Sequence, residues 1–527
     1  MYTTNEKGAK TLATSGKNSL DYFANIGTYR NRNVKQVAAD MAKAWKEDPM
    51  LALSILFYAR MITRKTKGAF VSDKVQKGQG IKDEFIKGLQ YLEANHPSVL
   101  EKNLWIVPLV GSWKDLWYDS ACTGHYHYIM PEKVYELIRQ SILTDEYNGA
   151  LIAKYLPRIR SAKQIKNDRH KRMNKWALGL CSYLGWNQKH YRQFKADPAK
   201  IAHSWQRKMS AKNWDEIDFS KIPGRALFQM VNNTGKDGKT LLQRHGLEAK
   251  YEAWLDTQPT AKFTGYVYEL FLQTKQHKIS AVKRKTLDKQ FDGLLALAKA
   301  DGVEGLKGNV WCALDTSSSM ECGAVGENGV TAYDVCISLG LYFSSLNEGA
   351  FKDHVVMFDE KSKVLKLSGG FVEKAKQIRM ASTAWGSTNF QSVVDEIVRV
   401  RKANPAIPIS EFPETLLVVS DMQFDKAGKN TKTNYEVMMK KLSNVGLGNI
   451  KVIWWQVSGR SEKNVPSKFD DDGVTLISGF DPAIISLILG GEKSKVDEVT
   501  GKTRALTPYE NMMKALDQEV LKQLKID

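Results

Sequence analysis

Apolar residues recur every three or four positions through the first part of the chain. Val34, Val37, Met41 and Trp45 predict one buried helical face. Asp48-Pro49 predicts a fresh helix start, because Asp caps an amino end and Pro suits the first helical position. The next predicted helix carries Leu51, Leu53, Ile55, Leu56 and Tyr58. Another opens at Pro131, with Val134, Leu137, Ile138 and Ile142 on one side. Successive amphipathic helices with short joins predict an all-α domain over residues 1–300, built as a helical solenoid. No clean sequence repeat accompanies it.

Near residue 300 the pattern changes. β-rich runs at 309–314, 353–358, 363–367, 415–420, 450–457 and 474–478 alternate with helical stretches near 331–346, 391–402 and 433–443. A final helix is expected near 507–524. Strands alternating with helices predict a mainly parallel sheet covered on both faces, so residues 301–527 read as an α/β domain. In such sheets ligands sit at the carboxyl ends of the strands.

Candidate chemistry stands at those ends. Asp315-Thr316-Ser317-Ser318-Ser319 follows the apolar run Val310–Leu314. Asp315, Ser317 and Ser319 alternate on a loop leaving a strand and can converge on one point. Gly386-Ser387-Thr388-Asn389 precedes the predicted helix at 391, and Asp421 ends the run Leu416–Ser420. Two carboxylates and three hydroxyls make an incomplete oxygen shell, suited to a hard cation that keeps waters or accepts a ligand's oxygen. Mg²⁺, or another divalent cation, is expected.

This DxSxS, Thr and Asp arrangement resembles the metal-ion-dependent adhesion site of von Willebrand factor A domains. The resemblance implies direct coordination by Ser317 and Ser319, direct or water-mediated coordination by Thr388, and largely water-mediated roles for Asp315 and Asp421.

Charge changes the picture of the helical part. Residues 1–300 hold 50 Lys or Arg against 28 Asp or Glu, while residues 301–527 hold 27 against 30. A basic domain beside a near-neutral one suggests a polyanionic partner for the first. The densest stretch contains Arg158, Arg160, Lys163, Lys166, Arg169, His170, Lys171, Arg172 and Lys175, against the single acid Asp168. Lys163, Lys166 and Arg169 are spaced to share a helix face. Such a stripe would hold RNA or DNA mainly by its phosphates, with marked salt dependence. A solvated basic face with no partner is the plainer alternative. Trp176, Tyr183, Trp186 and Tyr191 lie nearby, where base stacking competes with core packing.

Other chemistry is missing from the pattern. Five scattered cysteines without a CxxC suit a reducing, cytoplasmic setting. Cys122, His125 and His127 cluster, but lack the distant second half of a zinc site. Asn233–Thr240 ends like a phosphate loop, yet Asn233 stands where a Gly is required, so a turn is expected. Neither a GxSxG elbow nor an HExxH occurs, and no nucleophile stands with its base, so no enzymatic activity is expected. Neither a signal peptide nor a run of membrane-spanning length is visible.

A basic helical part followed by an A-type domain resembles the Ro ribonucleoprotein family, whose helical part is the TROVE module. Leu56–Arg60 ahead of Gly78-Gln79-Gly80, Asn103–Pro108 followed by Gly111–Leu116, Tyr155–Arg158, and Trp214–Phe219 with Ile222-Pro223 carry the likeness, especially to microbial and viral relatives. A Lys-containing insertion separates the first two phrases. The resemblance implies HEAT-like repeats closed into a ring, small structured RNAs on the outer basic surface and single-stranded 3′ ends in the hole. It implies a role in RNA quality control or ribonucleoprotein assembly. A second reading is a metal-dependent assembly factor, phage- or virion-associated, whose cation captures an acidic protein group. A third is a metal-dependent nuclease, disfavoured because a serine-rich shell holds too little negative charge for two metals.

Overall fold

The computed structural model describes residues 2–28, 33–65, 75–117, 128–144, 146–202, 204–300, 310–326, 329–382, 386–429, 431–459, 464–483, 494–496 and 503–526. Two compact units emerge. One comprises Met1–Asn31 and Phe219–Ala515, the other Arg32–Asp218 and Leu516–Asp527.

The first unit is built on a six-stranded mixed sheet. Its strands, numbered within the sheet, are β1 Val310–Asp315, β2 His354–Phe358, β3 Ser362–Lys366, β4 Thr415–Ser420, β5 Lys451–Gln456 and β6 Val474–Ser478. Their spatial order is β3-β2-β1-β4-β5-β6. All pairings are parallel except β2 with β3. β1, β4 and β6 are buried at every position, as continuous apolar strands of a doubly covered sheet should be.

Two adjacent tryptophans show that cover. Successive strand residues point to opposite faces. Trp455 meets Phe343 of the helix Ala332–Leu346, with ring centres 5.7 Å apart. Trp454 meets Phe390, the first residue of the helix Phe390–Ala403, at 5.2 Å. Helix Ala332–Leu346 also lies close on β1. A Cβ added at Gly340 would stand 2.4 Å from Leu314 Cδ1, so only glycine permits that approach.

The expected boundary near 300 marks where helices give way to strands; the compact units part elsewhere. Helix Val267–Thr274 packs on helix Ala332–Leu346 within the first unit, and Lys275 pairs with Asp334. At the carboxyl end, Gln518 bonds the backbone of Lys77 in both directions, at 2.9 and 2.8 Å. Lys525 does the same with the Asn103 side chain, at 2.9 and 2.6 Å. The long terminal helix expected at 507–524 is therefore cut to Pro508–Leu516 and a 3₁₀ turn at Leu521–Gln523.

The region expected to be all-α is helix-rich but carries two short antiparallel hairpins, Tyr2–Thr4 with Lys10–Leu12 and Arg64–Lys65 with Val75–Gln76. In the second unit the expected helix after Asp48 is Pro49–Arg60, and the Asp48 carboxylate accepts from Leu51 N at 2.9 Å. Its last residue, Arg60, is buried and donates to Asp115 at 2.8 Å. The segment around Gly235 is a turn, closed by a bridge between Thr234 and Thr240.

Helix Asp83–Asn95 buries both Glu84 and Lys87, whose charged atoms are 3.3 Å apart. Burial pushes the Glu84 carboxyl up to about 7, against the opposing charge of Lys87. A raised carboxyl binds its proton more tightly in the folded chain. Its contribution to stability is full below the unfolded value, near 4.5, and is lost as pH rises through 7. The loss is about 3 kcal/mol at roughly 1.4 kcal/mol per unit. Urea unfolding should therefore show stability falling between pH 5 and 7.5, and Glu84→Gln should remove most of that fall. Parallel pH profiles in the two proteins would contradict the assignment.

Candidate functional site

The chain leaves β1 in one direction across the sheet towards β2 and in the other towards β4, so β1 and β4 meet at the switch point, beside whose carboxyl ends ligands bind in sheets of this kind. Asp315 ends β1, and Ser420 and Asp421 leave β4 beside it. Asp315 is fully buried; its Oδ1 accepts from Ser317 N at 3.0 Å and its Oδ2 from Ser420 Oγ at 2.5 Å. Burial, and then the neighbouring Asp421 charge, hold the Asp315 carboxyl far above the usual carboxylate range. Two buried carboxylates thus lie close enough to repel one another, a placement that a cation would relieve. From beneath, the Cys336 thiol lies 3.6 Å from Asp315 O and 3.3 Å from Val419 O.

The other predicted groups reach the same edge. Ser317 is buried and Ser319 half-buried, with their Oγ atoms 3.1 Å apart. Thr316 turns away and ties the loop to β2, both its N and its Oγ1 donating to Phe358 O. Thr388 is buried, and its carbonyl accepts from Asp425 N at 2.9 Å. Asn389 N bonds Asp359 O at 2.8 Å, just past β2. The Asn389 side chain caps the helix Phe390–Ala403. Asp421 is buried, and its Oδ1 accepts from Gln423 N at 3.1 Å. Met422 between them holds φ +63°, in the left-handed region, which costs a residue with a long side chain about 1–2 kcal/mol. Strain of this kind gathers at functional turns.

Two carboxylates and three hydroxyls are the kind of oxygen donors that a small hard cation takes. An octahedral Mg²⁺ with bonds of about 2.0–2.1 Å leaves neighbouring oxygens about 2.9 Å apart, close to the Ser317–Ser319 separation. A positive group already meets the set: the Lys7 ammonium donates to Thr388 Oγ1 at 2.5 Å. Among the described residues no three His, Cys, Asp or Glu side chains gather as a metal centre. The set here is two carboxylates with hydroxyls. Cys122, His125 and His127 lie outside the described residues.

Sequence reasoning missed Ser420, Gln423 and Lys7. Ser420 is an ordinary strand-end serine. Lys7 lies 381 residues from Thr388 and has no local signal.

The basic stripe lies in the second unit. Arg158, Lys163, Lys166, Arg169, Lys171 and Lys175 are exposed, and Arg160, His170 and Arg172 half-buried. They do not share one helix. Lys163 sits in a 3₁₀ turn, Lys166 in a loop, and the helix Asp168–Leu184 begins only after Asn167, whose side chain caps it by accepting from His170 N. The cap ends the possibility of a helix face running from Lys163 to Arg169. The leading loop is nevertheless fixed. Asn174 bonds the Arg160 backbone in both directions, at 3.0 and 2.8 Å, and the buried Tyr191 donates to Pro157 O at 2.8 Å.

Trp176 belongs to the core, packed on Trp117 and Tyr135. Tyr183 is exposed and donates to Glu136. Half-buried Trp186 packs against His190 and Phe194. Tyr155 carries the ammonium groups of Lys114 and Lys154 at 5.0 and 5.2 Å from its ring centre. Among the described residues no helix is long and apolar enough to cross a membrane.

Two segments match domain families of unknown function, DUF7788 over residues 310–522 and DUF2828 over residues 4–117. The first contains all five candidate metal-site residues, and the second contains Lys7. Along most of its length the chain is similar to an uncharacterized protein of Acanthamoeba polyphaga mimivirus, 24% identical over 523 residues that cover 93% of this chain and 84% of that protein.

Proposed function

We propose that the protein is a non-enzymatic, Ro-like RNA-binding protein. Its helical unit holds small structured or defective RNA for quality control or ribonucleoprotein assembly. Its sheet unit is a von Willebrand factor A-type domain with a divalent-cation site. The observation that carries the RNA reading is the accessibility of the stripe: none of its nine basic groups is buried. Helix formation does not account for them. Arg169, Lys171 and Arg172 sit at the amino end of their helix, where its dipole disfavours positive charge and attracts anions. The second unit holds 34 Lys or Arg against 22 Asp or Glu, so its wider field supports a polyanion. A solenoid or ring arrangement of its helices belongs to the same proposal.

The expected result is binding of single-stranded RNA whose affinity falls steeply with salt, by a log–log slope of about −0.7 per phosphate neutralised. Protein purified at low salt should carry an elevated 260/280 nm absorbance ratio, and the RNA should be recoverable. Absence of RNA together with a flat salt response would overturn the reading.

A second reading is favoured by the buried carboxylates at the β1–β4 edge. A cation held by Asp315, Ser317, Ser319, Thr388 and Asp421 would capture an acidic group of a protein partner. A partner lost on chelation, from a protein free of RNA, would select it.

A further inference from the structure

The segment joining Tyr2–Thr4 to Lys10–Leu12 is seated on the same strand edge. Asn5 Nδ2 donates to Phe424 O at 2.7 Å, and Glu6 N to Gln423 Oε1 at 3.3 Å. Thr11 Oγ1 donates to Asn464 Oδ1 at 2.6 Å. Leu12 and Val465 exchange backbone bonds of 3.1 and 2.9 Å. The turn itself is preset: Asn5 Oδ1 accepts from Lys7 N at 3.1 Å and Ala9 N at 2.8 Å, and Gly8 takes φ +72°. This Asx turn fixes the backbone that carries the Lys7 ammonium to Thr388 Oγ1, with the Asp425 carboxylate 3.5 Å away on its other side.

We propose that Lys7 is a tethered cation that competes with a divalent cation at this edge, so that the hairpin of residues 2–12 caps and gates the site. The inference rests on the reading of Asp315, Ser317, Ser319, Thr388 and Asp421 as a cation site. An oxygen that receives a proton donor has one lone pair fewer for a metal, and an ammonium beside a divalent ion is repelled by it. A metal entering the site must therefore displace Lys7 from Thr388. Removing the ammonium makes the site bind a divalent cation more tightly.

The test is Mn²⁺ binding to the full chain, followed by electron paramagnetic resonance, in the unaltered protein, in Lys7→Met, and in each combined with Asp421→Asn. Lys7→Met keeps the length of the side chain and the hairpin's backbone bonds. The expected result is at least about tenfold tighter binding in Lys7→Met, within the usual range for coupled sites, and loss of that binding in both Asp421→Asn forms. Equal affinity with and without Lys7, abolished by Asp421→Asn, would overturn the gating and leave the cation site standing. Binding that is absent from every form, or indifferent to Asp421→Asn, would overturn both.

Discussion

Replacing Lys163, Lys166, Arg169, Lys171 and Arg172 with glutamine should weaken RNA binding by about a hundredfold or more at moderate salt. Each phosphate left without its basic partner subtracts a counterion-release contribution of about 0.7–0.9 from the log–log salt slope, so that slope should flatten by about four. The fold should survive. The five side chains are exposed or half-buried, and the groups that fix the segment are others: Asn167 caps the helix, Asn174 holds Arg160, and Tyr191 holds Pro157. The pair of Lys171 with Asp168 at 3.1 Å joins two exposed side chains and contributes little. Neutralising Lys363, Lys366, Lys376 and Lys402, exposed lysines of the sheet unit, should leave the affinity within about twofold. Filter binding across a salt series reads both quantities. An unchanged slope in the five-residue variant would remove these residues from the RNA-binding surface.

How much of this was legible in the sequence depended on where each signal was stored. β1 and β4 were readable because a doubly covered strand needs six consecutive buried positions, and Val310–Asp315 and Thr415–Ser420 supply them with a polar residue at the edge. The Asp48 cap was readable because its partner lies three residues on. Lys163 to Arg169 had helical spacing, but spacing is permissive. Asn167 caps a helix that starts at Asp168, and that local bond overrides the pattern.

Partnership across hundreds of residues left no periodic trace. The apolar face of Val267–Thr274 says that the helix is buried, not that it is buried on Ala332–Leu346. The hairpin at residues 2–12 is polar and short, and its seating depends on groups such as Gln423 and Val465. The antiparallel direction of β3 was equally hidden: the run was expected, but its half-exposed pattern carries no information about polarity.

The β1–β4 strand edge yields the sharpest expected outcome on the metal side. Asp315→Asn should abolish Mg²⁺-dependent stabilisation without lowering the metal-free stability. Asparagine keeps a carbonyl oxygen to accept from Ser317 N, and its amide can donate to the second lone pair of the Ser420 oxygen, which also accepts from Met422 N; the lost acceptor of the Ser420 proton is offset by the loss of a buried charge. The loop scaffold therefore persists, while the repulsion that Asp421 imposes on a buried charge at 315 is relieved. What disappears is one of two formal negative charges offered to the cation. Saturating Mg²⁺ at a hundred times its dissociation constant should stabilise the unaltered protein by about 2.7 kcal/mol. In Asp315→Asn the thermal midpoint should not move with Mg²⁺. A variant that unfolds earlier without metal would assign Asp315 a purely structural role, holding the loops of β1 and β4 together. A variant whose midpoint still rises with Mg²⁺ would place the cation elsewhere. Lys7→Met combined with Asp315→Asn separates the two charges further, because removing the tethered ammonium can raise affinity only where the carboxylate pair remains to use it.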